Sequence, residues 1–425
     1  MSERRSAGAV ILLACLAGAA GSSQAPVQPG TDGDIPRSAW PESWFHPPQT
    51  ASQISLTVFT QSPMLDVAVA AGELPPVEER LPEDPIVIEP YDRIGVHGGT
   101  ATLFEGGMTL LNPPGGGFRV GPQLQLNKPN YAESAQFSDG GRTLTIRLRE
   151  GVKWSDGHPL TADDFEFDLV HIKFNNQLTP VVPPMLQGAR IEKHDPNRFS
   201  YHFPEPQPLF LKKLAHSGYN YLSPAHFLKG YHPAFTDEAE LTRTAEELGV
   251  QDWRKLFEVV KNTGDQLVFH TPVMSAFMVI DRSSTRSRLQ RNPYYPFVDP
   301  AGNQLPYIDY LETQKVDTRE IKAAKASTGQ ITFSGRQFVT ADIPLFKRFE
   351  GRNGYRTYIW PRPYGADVFF QFNQTHPDVR MRTLYQDVRF RRAMSLAIDR
   401  DEVNEIVYQG HGVPRQMTVV PSSRY

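Results

Sequence analysis

The stretch Arg142–Phe174, RTLTIRLREGVKWSDGHPLTADDFEFDLVHIKF, constrains the fold more than any other part of the chain. Leu144, Ile146 and Leu148 alternate with Thr143, Thr145 and Arg147, which predicts a strand with one buried face. Ser138-Asp139-Gly140-Gly141 precedes it and reads as a hairpin turn, because Asp and Gly tolerate positive φ; AESAQF and RTLTIRL should therefore pair. Downstream, Thr161 has the character of a helix N-cap, and Asp164 three residues later completes a capping box. Asp163 and Asp164 also suit the positive end of the helix dipole. Phe165, Leu169 and Ile172 recur at helical spacing and should face a core. Between strand and helix lies Trp154-Ser155-Asp156-Gly157, where Asp156-Gly157 supplies the turn and Trp154 is expected to pack beneath it as an apolar peg.

The same patterning mixes strands and helices elsewhere. Gly98-Gly99 leads into a short strand that Gly106-Gly107 closes. Residues 205–262 read as mostly helical. Strands are expected at LVFHTPVMSAFMVI, YLETQKV and YRTYIW, and helices at TREIKAAKAS and DVRFRRAMSLAI, with Asp399 capping one more. No internal repeat is present. At 425 residues the chain is long enough for two or three domains.

The amino terminus, MSERRSAGAVILLACLAGAAGSS, has Arg4 and Arg5, then an apolar run, then small residues. That is the three-part form of an export leader, assigned to residues 1–21. Leu12-Leu13-Ala14-Cys15 also has the form of a lipobox, which makes Cys15 the candidate lipidation site and a lipid anchor the one route to a membrane. Residues 22–60 are rich in Ser, Gln, Pro and Gly and read as a tether, part of an extension running to residue 85, with the ordered body starting near LPEDP.

Several function classes lack support. A net charge of −3 gives no footprint for nucleic acid. With Cys15 the only cysteine, no intramolecular disulfide or cysteine metal cage can form. The 12 histidines include no HExxH, and neither a GxSxG elbow nor a phosphate-binding loop is present. No metal or cofactor is expected. His158 reads as a turn residue, and the carboxylate pairs Asp163/Asp164 and Glu312/Asp317 as caps and solvated faces rather than an acid and base. The profile is that of an exported binding protein, not an enzyme.

LTIRLREGVKWSDGHPLTADDFEFDL closely resembles the signature of family 5 extracellular solute-binding proteins, the peptide, nickel and oligosaccharide receptors of ABC importers. HGGTATLF, LQRNPYYPFVDPAGNQLPYIDYLE and FQFNQTHPD…LYQDVRFRRAMSLAIDRDEVNEIVYQGHGVPRQ resemble further family segments in the family's order, so that the likeness spans roughly residues 90–425. The resemblance implies an α/β, two-lobed periplasmic-binding-protein type II fold (cluster C) with an extra subdomain. Lobe I then covers 86–360, and 361–425 is the crossover and the start of lobe II. Family members continue past the point matching Tyr425, so the second lobe is expected to be incomplete and the chain a fragment or a truncated gene product.

The implied function is capture of peptides or peptide-like solutes between the lobes and delivery to an ABC permease, by a monomer in the periplasm or at the outer face of the cytoplasmic membrane. The alternatives are a non-transporting fragment, a sensory receptor, or an exported carboxylate-dependent hydrolase. Expected cleft-wall residues are Phe104 and Glu105 after the first strand, Phe277, Tyr364, Asn373 and Gln374. Trp154, Asp156, Gly157, Thr161 and Asp164 are expected to serve structure.

Overall fold

The computed structural model describes residues 10–15, 46–105, 117–119, 128–215, 221–262, 270–334, 338–360 and 368–415. The chain clusters into two compact units. One comprises Arg37–Ala101 and Met108–Lys315; the other comprises Met1–Pro36, Thr102–Gly107 and Val316–Tyr425.

In the first unit, four antiparallel strands lie in the order Ala132–Ser138, Thr143–Leu148, Arg198–His202, Arg190–Asp195. The expected hairpin is present, and its turn carries φ of 49° at Asp139, 59° at Gly140 and 88° at Gly141. Leu144, Ile146 and Leu148 are buried, as are Phe199 and Tyr201 on the neighbouring strand. The other face is polar: the Thr145 and Ser200 hydroxyls lie 2.8 Å apart across the ladder.

The helix Ala162–Phe167 covers the apolar face, with Phe165 4.6 Å from Phe199 between ring centroids. It continues as a π-helical stretch, Asp168–Lys173, which still buries Leu169 and Ile172. A second sheet runs Phe277–Arg282, Arg286–Arg291, Tyr310–Gln314, Thr100–Phe104. A helical module follows the expected 205–262 region: Glu238–Glu247 and Trp253–Lys261, capped by Asp237 and Asp252, bury Leu241, Leu256, Phe257 and Val260.

The expected tether ends earlier than residue 60. Residues 46–85 pack onto the unit through backbone pairing, with Val87 N donating to Gln49 O at 2.9 Å and Gln304 N to Thr60 O at 2.8 Å. Ala51, Leu65, Val77 and Leu81 are buried. A segment poor in regular periodicity is thus ordered by long-range partners that no local pattern reveals. Arg80 is the fullest case. Its guanidinium is wholly buried and donates to the carbonyls of Pro75 and Pro293 and to the side chains of Gln61 and Gln304. Burial brings its pKa down to about 10.

In the second unit, Val10–Cys15 forms a strand between Phe333–Ser334 and Tyr355–Trp360 and antiparallel to both. Part of the apolar run of the expected leader is therefore paired as a sheet strand. Helices Arg319–Ser327 and Ile343–Asn353 build a core of Ala323, Ala326, Ile331, Phe346 and Tyr355. Gly354 ends the second helix at φ 69°, a left-handed conformation that costs glycine little. Helices Val379–Gln386, Val388–Leu396 and Arg400–Tyr408 follow, capped by Asp378, Asp387 and Asp399, and none contains a buried residue.

Candidate functional site

Trp154-Ser155-Asp156-Gly157 closes on itself before it meets anything else. Gly157 N donates to Trp154 O at 2.9 Å, Trp154 N to His158 O at 2.8 Å, and Asp156 Oδ1 accepts from His158 N at 3.1 Å. Gly157 sits at φ 88°, and a Cβ there would lie 2.7 Å from Tyr294 Oη. Both the turn and the tyrosine packed over it require glycine.

Trp154 is buried beneath the turn, as expected, and it is also hydrogen-bonded. Its Nε1 donates to Asp164 Oδ2 at 3.1 Å. The same oxygen accepts from Thr161 N at 3.0 Å, completing the capping box, and Asp164 Oδ1 accepts from Ala225 N at 2.8 Å. One carboxylate therefore fixes the helix start, the tryptophan and the next helix, Ala225–Leu228. Burial pushes the Asp164 carboxyl above the usual range, against the pull of these three donors.

Asp156 shifts the other way. Burial raises its pKa, but the donors His226 Nε2, at 2.8 Å, and His158 N outweigh burial and bring it below the usual range. The His158 ring lies flat on His226, with centroids 3.9 Å apart.

The turn gathers other segments of its unit. Ser155 N donates to Val273 O at 3.0 Å and Val273 N to Ser155 Oγ at 2.9 Å, tying in HTPVMSAF. Asn292 joins that segment to Asn-Pro-Tyr-Tyr: its N donates to Ala276 O at 2.8 Å and its Nδ2 to Ser275 O at 3.0 Å. Arg80 reaches Pro293 in the same stretch. Arg80, the Ser155–Val273 pair and Asp168 carry no local sequence signal. Asp168 is wholly buried, accepts from Ser223 Oγ at 2.7 Å and faces Lys173 Nζ at 3.7 Å.

The cleft-wall candidates fall in different places. Phe104 is buried in a core, edge-on to Phe338, so its ring has packing neighbours of its own. Phe277 is likewise buried, among Ala101, Val279, Leu289 and Leu311. Glu105 is exposed in the turn after Thr100–Phe104. Asn373 and Gln374 are exposed; Asn373 Oδ1 accepts from Thr375 N at 3.1 Å, and Gln374 O accepts from Gln386 Nε2 at 2.8 Å. Tyr364 lies outside the described residues, as do Gly106-Gly107 and the side chain of Cys15.

Two of the carboxylates considered as acid and base form ion pairs. Asp163 pairs with Lys193 at 2.6 Å, and Glu312 with Arg288 at 3.5 Å. Among the described residues no group of three His, Cys, Asp or Glu is placed to hold a metal ion, and no helix is long and apolar enough to cross a membrane.

The fold is mixed α/β, built around a hydrogen-bonded framework that collects distant segments. Residues 127–425 match the profile of bacterial extracellular solute-binding proteins, family 5, middle region. The chain belongs to that family.

Among curated relatives, the periplasmic alpha-galactoside-binding protein of Rhizobium meliloti strain 1021 is 29% identical, over 80% of this chain and 52% of that protein. The periplasmic oligopeptide-binding protein OppA of Salmonella typhimurium is 23% identical, over 66% of this chain and 47% of its own length. The chain thus spans about half the length of the curated relatives it matches.

Among solved structures, an oligopeptide-binding protein OppA superposes with a TM-score of 0.75 at 33% identity, covering 91% of this chain and 62% of that one. The periplasmic binding protein MelB of Agrobacterium fabrum C58, in complex with stachyose, gives 0.63 at 25% identity, covering 84% and 56%.

Proposed function

We propose that the chain is the solute-binding component of an ABC importer, exported from the cytoplasm, which captures a peptide or peptide-like solute between two lobes and delivers it to a membrane permease. The family match across residues 127–425 carries this reading, and the likeness to the solved OppA supports the peptide class. Glu105, Tyr364, Asn373 and Gln374 are the proposed wall residues, of which Asn373 and Gln374 can hydrogen-bond a ligand backbone. Phe104 and Phe277, expected at the same wall, have rings buried in separate apolar clusters. An oligosaccharide is the second reading, favoured by the alpha-galactoside-binding relative and by the stachyose complex. The protein acts by binding and release, without turnover.

Calorimetric titration with a mixed oligopeptide library and, separately, with stachyose tests this reading. Saturable binding of peptides with both solutes recovered intact is the expected result. Binding of stachyose alone replaces the peptide reading with the oligosaccharide one. Hydrolysis of either solute overturns the binding-protein reading.

A further inference from the structure

Asp168 opens the π-helical stretch, and that geometry decides what its carboxylate meets. The bond from Phe174 N to Leu169 O, at 3.0 Å, spans five residues. In an α-helix, positions five apart point in directions roughly 140° apart. The wider π turn brings Asp168 and Lys173 to one side, and Lys173 Nζ stands 3.7 Å from Asp168 Oδ2. At that distance the lysine is an ion-pair neighbour rather than a hydrogen-bond donor.

The pair lies where the four-stranded sheet meets the helical module. Asp168 Oδ1 accepts from Ser223 Oγ at 2.7 Å, just ahead of the helix Ala225–Leu228. Lys261, the last residue of Trp253–Lys261, is a second positive charge acting on Asp168. From the sheet comes Tyr201, on Arg198–His202. Ring contacts join the two sides. Tyr201 is edge-on to Phe210 at 5.2 Å, Phe210 is stacked with Tyr221 at 6.0 Å, and Lys173 Nζ lies 5.5 Å from the Tyr221 ring centroid.

Tyr201 and Asp168 are wholly buried, and among the described residues neither Tyr201 Oη nor Asp168 Oδ2 has a hydrogen-bond partner. Burial first, and then the charge of Asp168, push the Tyr201 hydroxyl far above its usual range, so it keeps a proton to donate. Leaving either atom unsatisfied in a buried site is costly.

We propose that one internal water molecule binds in this joint, accepting a hydrogen bond from Tyr201 Oη and donating one to Asp168 Oδ2, with Lys173 Nζ as a further donor. The surrounding groups select the class of ligand. Lys173 and Lys261 repel a cation, the Asp168 carboxylate repels an anion, and an apolar molecule satisfies neither atom. Water supplies both the acceptor that Tyr201 lacks and the donor that Asp168 Oδ2 lacks, and three polar neighbours are typical of a buried water. The water links the sheet, through Tyr201, to the π turn, and Asp168 passes the link to the helical module through Ser223.

A crystal structure of the full chain, at a resolution that shows ordered water, tests the site directly. The expected result is a single peak within hydrogen-bond distance of both Tyr201 Oη and Asp168 Oδ2. Direct contact between those two atoms, a protein side chain in that place, or no peak overturns the proposal. Urea denaturation of Tyr201→Phe, which keeps the ring and removes only the hydroxyl, gives an independent readout. A bridged hydroxyl predicts an unfolding constant raised about fivefold or more, because a made hydrogen bond is lost and the water loses a donor. An orphaned hydroxyl predicts the reverse, since its removal relieves the burial of an unsatisfied group. Unchanged or improved stability in Tyr201→Phe therefore overturns the water.

Discussion

The Trp154–Asp164 framework and the carboxy-terminal helices use the same local chemistry to opposite effect. Both start helices with acidic caps. Asp164 completes the box at Thr161, and Asp378, Asp387 and Asp399 each accept from an amide of the following turn. In the framework, the capping carboxylate is buried and shared with a tryptophan and a second helix. In residues 368–415 no cap or apolar side chain is fully buried, and although Phe372 packs on Tyr385 and Phe390, Leu396 is 76% and Ile406 72% exposed. A cap is worth about 1 kcal/mol wherever it stands and needs no core. Rigidity comes instead from polar groups that have no water to fall back on. The framework should therefore be brittle to substitution and the helical segment tolerant.

Arg80→Ala should give the largest effect. It takes the donor from acceptors on Gln61, Pro75 and Gln304, leaves Pro293 O with Gln304 Nε2 alone, and opens a cavity. Each buried acceptor left unsatisfied costs about 1 to 3 kcal/mol. Urea denaturation should show this, and limited proteolysis should cut first within residues 46–85. Native resistance there would mean that the extension is held by its apolar contacts alone.

Gly157→Ala comes next, at about 1 to 3 kcal/mol, because the new methyl group meets Tyr294 at a φ that alanine resists. Combining it with Tyr294→Ala should recover part of the loss and leave the cost of the backbone conformation. Full additivity in that double-mutant cycle would show that the clash is relieved elsewhere.

The two aspartates of the motif should respond oppositely to pH. Asp164 has its folded pKa raised above the ordinary 3.8, so its contribution is full in acid and is lost as pH rises through the folded value. Asp156 has its folded pKa lowered below 3.8, so its contribution is present above that value and is lost as pH falls through the folded one. Stability measured from pH 3 to 7 should therefore show Asp164→Asn approaching or passing the parent as pH rises, and Asp156→Asn converging on the parent in acid. Parallel curves would remove the electrostatic distinction. At neutral pH the Asp156–His226 pair, partly open to solvent, is worth no more than about 1 kcal/mol.

Much of this framework was legible because its signals are local. The period-two strand, the Asp-Gly turn and the Thr161/Asp164 box each need only neighbouring residues, and all three stand where the sequence places them. What escaped notice depends on partners far along the chain. Arg80 looks like one more charge in VEERL, yet its partner Pro293 lies 213 residues away. Residues 46–60 look like a tether because proline and serine hide backbone pairing that is made only in the fold. Phe104 shows the same dependence: its ring is buried against Phe338 and Phe346, which lie more than 200 residues further along the chain.

The smallest effect belongs to the helical segment, and it completes the comparison. Leu396→Gln and Ile406→Gln replace side chains that are already mostly in water, so no burial is lost and the helix propensity of Gln is close to that of the residues replaced. Stability should change by less than about 0.5 kcal/mol, while the loss of two apolar surface groups should lower dye binding to exposed hydrophobic surface and raise solubility. Melting curves and dye fluorescence on the same samples decide the matter. Destabilisation on the scale of Gly157→Ala would mean that Leu396 and Ile406 have packing partners in solution, and that the contrast between brittle framework and tolerant helices does not hold.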